Sequence, residues 1–150
     1  MASVRDMTSL GSNSGGFTSS AMYTWLQGTL LNSLPADLRG VLKSVNKKTS
    51  AGNKSTVINT NAMKLFLFSE QEIFGAKIYS AGGEGAQYSY FATAANRVKY
   101  LANGAGAVRA WWMRSPVVSN SLYFCQVSTG GSSVSSALVS AIGVCFGFCV

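Results

Sequence analysis

Apolar side chains recur at helical spacing early in the chain. In AMYTWLQGTLLNSL, Met22, Trp25, Leu26, Leu30 and Leu34 lie three or four positions apart and predict one face of a helix turned to a core. Ser19 or Ser20 stands where the N-cap of that helix belongs, because a hydroxyl there can accept an otherwise unpaired backbone N–H. Pro35 opens a second helical pattern, PADLRGVLKSVNK, with Asp37 at the positive end of the dipole. Leu38, Val41, Leu42 and Val45 form its predicted buried face, and Lys47 and Lys48 stand as cations at its negative end. Ahead of both helices, the Gly- and Ser-rich residues 1–18 predict a flexible or packed lead-in, with the domain proper spanning 19–150.

Beyond the helices the period shortens. TSAGNKSTVINTNA is polar and turn-rich and predicts an exposed hairpin or loop, whereas KLFLFS predicts a strand buried on both faces. Ser69 then caps a short helical turn, SEQEIFG, with Glu72 three residues on as in a capping box and Gly75 as its stop. YSAGGEGAQYSYFATAANRVKYL mixes a glycine loop with an aromatic helix or irregular segment. RAWWMRSP, LYFCQVS and IGVCFGFCV read as strands, with a turn at Thr129–Gly131 and with Phe124, Val127 and Val144 facing inward. Two N-terminal helices followed by strands predict an α+β fold with an antiparallel sheet.

Composition narrows the picture. With 150 residues, 47% of them hydrophobic, the chain fits one domain with a real core. Twelve basic residues against five acidic give a net charge of +7, but they are scattered singly apart from Lys47 and Lys48, and no nucleic-acid module accompanies them. A solvated basic surface is expected, with no nucleic-acid partner. From Ser115 to Val150 there is no charged residue at all, yet the apolar part of that tail is short and broken by Ser140, Gly143 and Gly147, so no membrane insertion is expected. The start, MASVRDMTSLGSNSGG, contains no visible signal peptide.

Candidate chemistry is thin. The chain has no histidine, which excludes Ser-His and Cys-His nucleophile pairs. Glu70 and Glu72 are explained as helix-start residues, and AGGEG lacks the spacing and the lysine of a phosphate loop. No catalytic residue, metal site or cofactor is expected, and the chain is read as a non-enzyme. Cys125, Cys145 and Cys149 are an odd number of thiols, expected free and buried, with Cys145 and Cys149 on one strand face if that segment is extended.

The order of motifs carries a resemblance. RAWWMRSP, with KLFLFSEQEIFG before it, YFCQV after it and GVCFGFCV at the end, resembles a domain of unknown function abundant in phage and prophage proteins, marked by a Trp-Trp-Leu-Arg-Ser-Pro motif and a Gly-Val-x-x-x-Phe-Cys terminus. The likeness runs from about Gly15 onward, with Met113 where that family usually has Leu. That family is in turn similar to the C-type lectin fold, as used by the variable proteins of diversity-generating retroelements, including phage tropism determinants. Lectin here names a fold and not sugar binding.

The resemblance implies a C-type-lectin-like single domain in which Trp111, Trp112 and Arg114 are scaffold and residues 117–142 are a candidate variable segment. Adenine-directed mutagenesis of Asn codons reaches Ser, Val, Ala, Leu, Ile, Thr and Gly but not Lys, Glu, Gln, Met or Trp. That segment uses almost only the reachable set, with Gln126 the exception. The outward, ligand-binding candidates are Val117, Val118, Ser119, Ser121, Leu122, Ser133, Val134, Ser135, Ser136, Leu138, Val139 and Ile142. The implied function is a non-enzymatic adhesin or tail-fibre tip, on a virion tail or surface or on a bacterial cell surface. Its expected partners are a host-surface protein or glycan receptor and virion or fibre subunits, with a trimer by analogy. The alternative is a structural virion protein, a tail or capsid decoration subunit whose uncharged face packs on neighbours. The lectin-like fold also serves formylglycine-generating oxidases, whose cysteine and metal chemistry Cys145 and Cys149 do not reproduce.

Overall fold

In a computed structural model, which describes residues 3–102 and 106–150, the chain is a mixed α+β fold. A short edge strand, β1 (Val4–Arg5), precedes the first helix. Ser20 caps that helix, its hydroxyl accepting the Tyr23 N–H at 3.1 Å. α1 (Ala21–Trp25) runs through a π-helical turn, Leu26–Leu30, into α2 (Leu31–Ser33). Met22 and Leu26 are fully buried, and Trp25, Leu30 and Leu34 pack at the margin of the same core, as the spacing predicts. Gln27 ties the helix down by accepting the Lys64 N–H and donating to the Leu65 carbonyl.

The second helix is shorter than expected. α3 (Ala36–Val41) has Asp37 in its first turn, but Leu42 is already extended and Val41 is 56% exposed. Val45, Lys47 and Lys48 belong instead to β2 (Val45–Ser50), which pairs antiparallel with β3 (Ile58–Met63) from Val45↔Met63 to Ser50↔Ile58. Gly40 weakens the helix, and the unbroken ladder outweighs the little that two more helical turns would contribute. The polar segment therefore does form a hairpin, although Lys47, Thr49 and Ser50 on its first strand are buried rather than exposed.

The lead-in is packed. Met7 and Phe17 are fully buried, and the Asn13 side-chain amide donates to the carbonyls of Asn120 (3.1 Å) and Tyr123 (2.8 Å) while its oxygen accepts the Asn53 N–H at 2.7 Å. Gly52 permits this approach: it has φ +69°, and a Cβ there would sit 1.8 Å from the Asn13 carbonyl oxygen.

β4 (Phe66–Leu67) leads into α4 (Glu70–Phe74), whose capping box between Ser69 and Glu72 and left-handed Gly75 stop match the pattern in the sequence. A 3-10 turn (Ser89–Ala92), α5 (Ala94–Arg97) and the ribbon β5 (Lys99–Tyr100) and β6 (Val108–Arg109) follow. Then come β7 (Trp111–Pro116), β8 (Tyr123–Val127), β9 (Ser133–Ala137), β10 (Ile142–Gly143) and β11 (Phe146–Gly147). The main sheet has the order β1-β10-β7-β8-β9, and β11 pairs separately with β4.

The expectation of an antiparallel sheet needs one correction: β10 lies parallel to β7, with Gly143 opposite Trp111. The chain leaves β9 at one edge, crosses the sheet within a few residues and returns on the far side of β7 in the same direction, which fixes that pairing. Alternation along β7 and β8 sends Trp112 and Phe124 into one core and Trp111, Met113, Cys125 and Val127 into another. Of the three thiols, which are all free, only Cys125 is buried; Cys145 is half-buried and Cys149 is exposed. Neither Cys145 nor Cys149 lies in a named strand: β11 holds only Phe146 and Gly147, and Cys149 makes a single bridge, its carbonyl accepting the Lys43 N–H at 2.9 Å. Among the described residues no helix is long and apolar enough to cross a membrane.

Candidate binding surface and its ionic support

The interior polar chemistry of the domain converges on Arg114, at the middle of β7. Its side chain is fully buried and spends its planar fork on four acceptors: the carbonyls of Lys48 (3.0 Å), Leu67 (2.8 Å) and Glu84 (2.7 Å), and the Glu72 carboxylate. Glu72 also receives Lys47 Nζ at 3.0 Å and the Ser69 N–H at 3.0 Å. Lys47 is completed by the Tyr88 hydroxyl at 2.6 Å and by the face of the Phe66 ring, 3.9 Å from its nitrogen. One guanidinium thus joins the hairpin, β4, α4 and the glycine loop to the central sheet.

Glu70 does a related job. Its carboxylate accepts the backbone N–H groups of Ile78, Tyr79 and Ser80 and the Ser133 hydroxyl, the last at 2.6 Å, so it clamps the loop after α4 onto β9. Sequence reasoning saw Glu70 and Glu72 only as helix-start residues and missed Lys47 and Glu84. A signal was present, since three of five acids crowd between positions 70 and 84.

Two of these carboxyls titrate in opposite senses. For Glu72, burial pushes the pKa up, but the Arg114 hydrogen bond and charge, with Lys47 and the Ser69 N–H, outweigh it and hold the group below the ordinary carboxylate range. For Glu84, burial wins over the charge of Arg114 and the Ser50 N–H and the pKa lies above that range. One oxygen of Glu84 is inside the protein without a hydrogen-bond partner. The depressed Glu72 contributes stability that is present above its unfolded pKa and lost as pH falls through its folded one. The raised Glu84 contributes stability that is present below its unfolded pKa and lost as pH rises through its folded one. On acidification from neutral pH, the urea midpoint should first rise as Glu84 takes up its proton, then fall as Glu72 does. Glu84→Gln should remove the rise and leave the acid limb; a wild-type midpoint that only falls from pH 7 would overturn the assignment.

The uncharged face touches this region at Ser133, through Glu70. Ser119, Leu122, Ser135 and Val139 are exposed, and Val118, Ser121, Ser133, Val134, Ser136 and Ile142 are half-buried. Two residues expected to face outward, Val117 and Leu138, are core instead. Val117, 4% exposed, donates its N–H to the Tyr123 carbonyl and packs in the cluster of Trp111 and Met113. Leu138, also 4% exposed, packs with Trp112 and Phe124 while its carbonyl accepts the Met7 and Thr8 N–H groups. Ser133 turns inward to Glu70, and Ile142 packs against the core from β10. The scaffold residues Trp111, Trp112 and Arg114 are all fully buried. Each indole N–H finds a carbonyl, Trp111 that of Arg97 (2.8 Å) and Trp112 that of Arg5 (2.7 Å).

The exposed apolar members gather at one place. Leu122 (52% exposed) and Val139 (64%) border a shallow depression of about 250 Å³ lined also by Ser9, Gly11, Ala137 and Leu138. Leu10, 68% exposed, stands between two of the lining residues; it lies in the lead-in, where sequence reasoning placed no site residue. The surface offers hydroxyls and apolar contact without charge. Among the described residues no group of Cys, Asp or Glu could hold a metal ion.

These features define a mixed α+β domain whose ion pairs among the described residues are buried and whose candidate contact surface is uncharged. The chain belongs to the family described as a domain of unknown function, DUF6273, which matches residues 2–150. No curated protein and no solved structure matches it.

Proposed function

We propose that the chain is a non-enzymatic binding protein that displays the surface around Leu122 and Val139 on a lectin-like scaffold. The observation that carries the reading is that cluster: two large apolar side chains, Leu122 and Val139, are each more than half exposed at the rim of one depression, and Leu10, 68% exposed, follows the lining residue Ser9 in the chain. The segment supplying two of them is free of charge in a chain of net charge +7. Contact with such a face desolvates no ion, so its cost is low. An apolar anchor on a host-surface protein suits the depression better than a glycan, whose hydroxyls would meet few polar partners there. The lectin-like comparison rests on the ordered motifs around Trp111, Trp112 and Arg114 and on helices that precede strands β7 to β10 of the main sheet. Display at a virion tail or a bacterial cell surface, and diversification of the exposed positions by a retroelement, are parts of the same proposal.

Deep sequencing of the encoding DNA in many descendants of one clone tests it. Substitutions concentrated at the codons for Ser119, Leu122, Ser135 and Val139, with those for Trp111, Trp112 and Arg114 unchanged, are the expected result. A window as silent as the helices would remove the diversified-display reading and favour a structural virion subunit that buries these side chains against its neighbours.

A further inference from the structure

β9 is an open edge of the five-stranded sheet and pairs with β8 alone. The register decides which of its backbone groups point outward. Leu138 N–H donates to the Leu122 carbonyl and Ser128 N–H to the Ser132 carbonyl, one at each end of the β8–β9 pair. In an antiparallel ladder, bonded and non-bonded pairs alternate. Val134 and Ser136 therefore exchange bonds with β8, while Ser133, Ser135 and Ala137 present their N–H and C=O groups away from it. Among the described residues, the N–H groups of these three make no hydrogen bond to any other segment, while the Ala137 carbonyl accepts the Ser140 N–H at 3.1 Å and keeps a second lone pair for the edge.

Proteins protect such an edge with Lys, Pro, a bulge, an inward charge or a covering segment. β9 has none of the sequence devices: it reads SVSSA, its register with β8 is unbroken, and the Glu70-held loop reaches it only through the Ser133 hydroxyl, with no backbone bond to the strand. The opposite edge is guarded, since β1 is two residues long and carries Arg5, whose guanidinium lies 4.6 Å from the Trp25 ring centroid.

We propose that β9 pairs antiparallel with β9 of a second copy of this chain, about a two-fold axis through Ser135, joining two sheets edge to edge. Two observations select a second copy over an unrelated extended segment. A chain of net charge +7 repels its own copies over most of its surface, and the stretch from Ser115 to Val150, which contains β9, is the long segment without charge. The strand is also complementary to itself. With Ser135 on the axis, Ser133 of one copy meets Ala137 of the other, all small side chains, and the outward backbone groups of both strands fall in phase. The pairing uses main-chain groups and needs neither Leu122 nor Val139; of the four exposed display positions it shares Ser135, whose side chain stands perpendicular to the sheet and outside the backbone bonds.

Sedimentation equilibrium of the 150-residue chain over a wide concentration range tests this. The wild type should show a reversible monomer–dimer equilibrium. Ser135→Pro removes an outward N–H at an edge position that tolerates proline, and should weaken the dimer by about 10- to 100-fold through the bonds lost at the axis. Ser135→Lys keeps the N–H but sets two like charges opposite each other, so it should also weaken the dimer, with partial recovery at high salt. A thermal melt at low concentration establishes that each variant is folded; if the proline variant is not, the lysine variant decides. A wild type that stays monomeric throughout, or a dimer that a folded Ser135 variant leaves unchanged, would overturn the proposal.

Discussion

Arg114→Met should lower the stability of the domain by about 3–5 kcal/mol, a large part of the margin of an ordinary domain. Methionine fills much of the volume but satisfies none of the four acceptors. The Lys48, Leu67 and Glu84 carbonyls and one oxygen of Glu72 would lose a buried donor together. Arg114→Lys should fall well short of rescue despite keeping the charge, because an ammonium cannot reproduce a fork that spans the hairpin, β4 and the glycine loop. Urea unfolding followed by circular dichroism reads both. A methionine variant within about 1 kcal/mol of wild type would show that the pieces are held by apolar packing alone.

Trp112→Ala is expected to cost a similar amount, about 3–5 kcal/mol, for a different reason. The indole is fully buried among Met22, Leu26, Phe124 and Leu138, and truncation leaves a cavity that a close-packed core fills poorly. It also frees the Arg5 carbonyl that the indole N–H holds, loosening the first strand. Leu122→Ala, by contrast, removes a side chain that is 52% exposed and should change stability by no more than about 0.5 kcal/mol. Thermal melts in the opposite order, with Leu122 the costly position, would reverse the division between scaffold and display.

Features fixed by local chemistry were legible in the sequence. The Ser20 cap, the Ser69–Glu72 capping box and the Gly75 stop each depend on side chains and backbone within a few residues. The burial of Trp111 and Trp112 was legible because β-rich apolar runs have few other uses. Features fixed by partners far along the chain were not. Val45 to Lys48 continue a helical period, and only β3 makes them a strand. Lys47 is charged and adjoins another cation, so it reads as surface; its burial depends on Glu72, 25 positions away, and on Tyr88 and Phe66. β9 is rich in Ser and reads as a loop until β8 lies beside it. Val117 and Leu138 are outward in the pattern that the resemblance implies, but each is held in by a backbone bond at the start of β8, Val117 to the Tyr123 carbonyl and Leu138 to the Leu122 carbonyl.

The strand β8 has a consequence for inheritance. It lies in the middle of the stretch from Val117 to Ile142, yet Phe124, Cys125 and Val127 are buried. Any process that rewrites that stretch indiscriminately would strike these positions as often as the exposed ones, and most such offspring would fail to fold. Lineages that persist would carry their changes in two islands, 118–122 and 134–139, the second interrupted by the buried Leu138, around a silent block of core codons. Under such a process, new surfaces would come only as fast as copies could be spared.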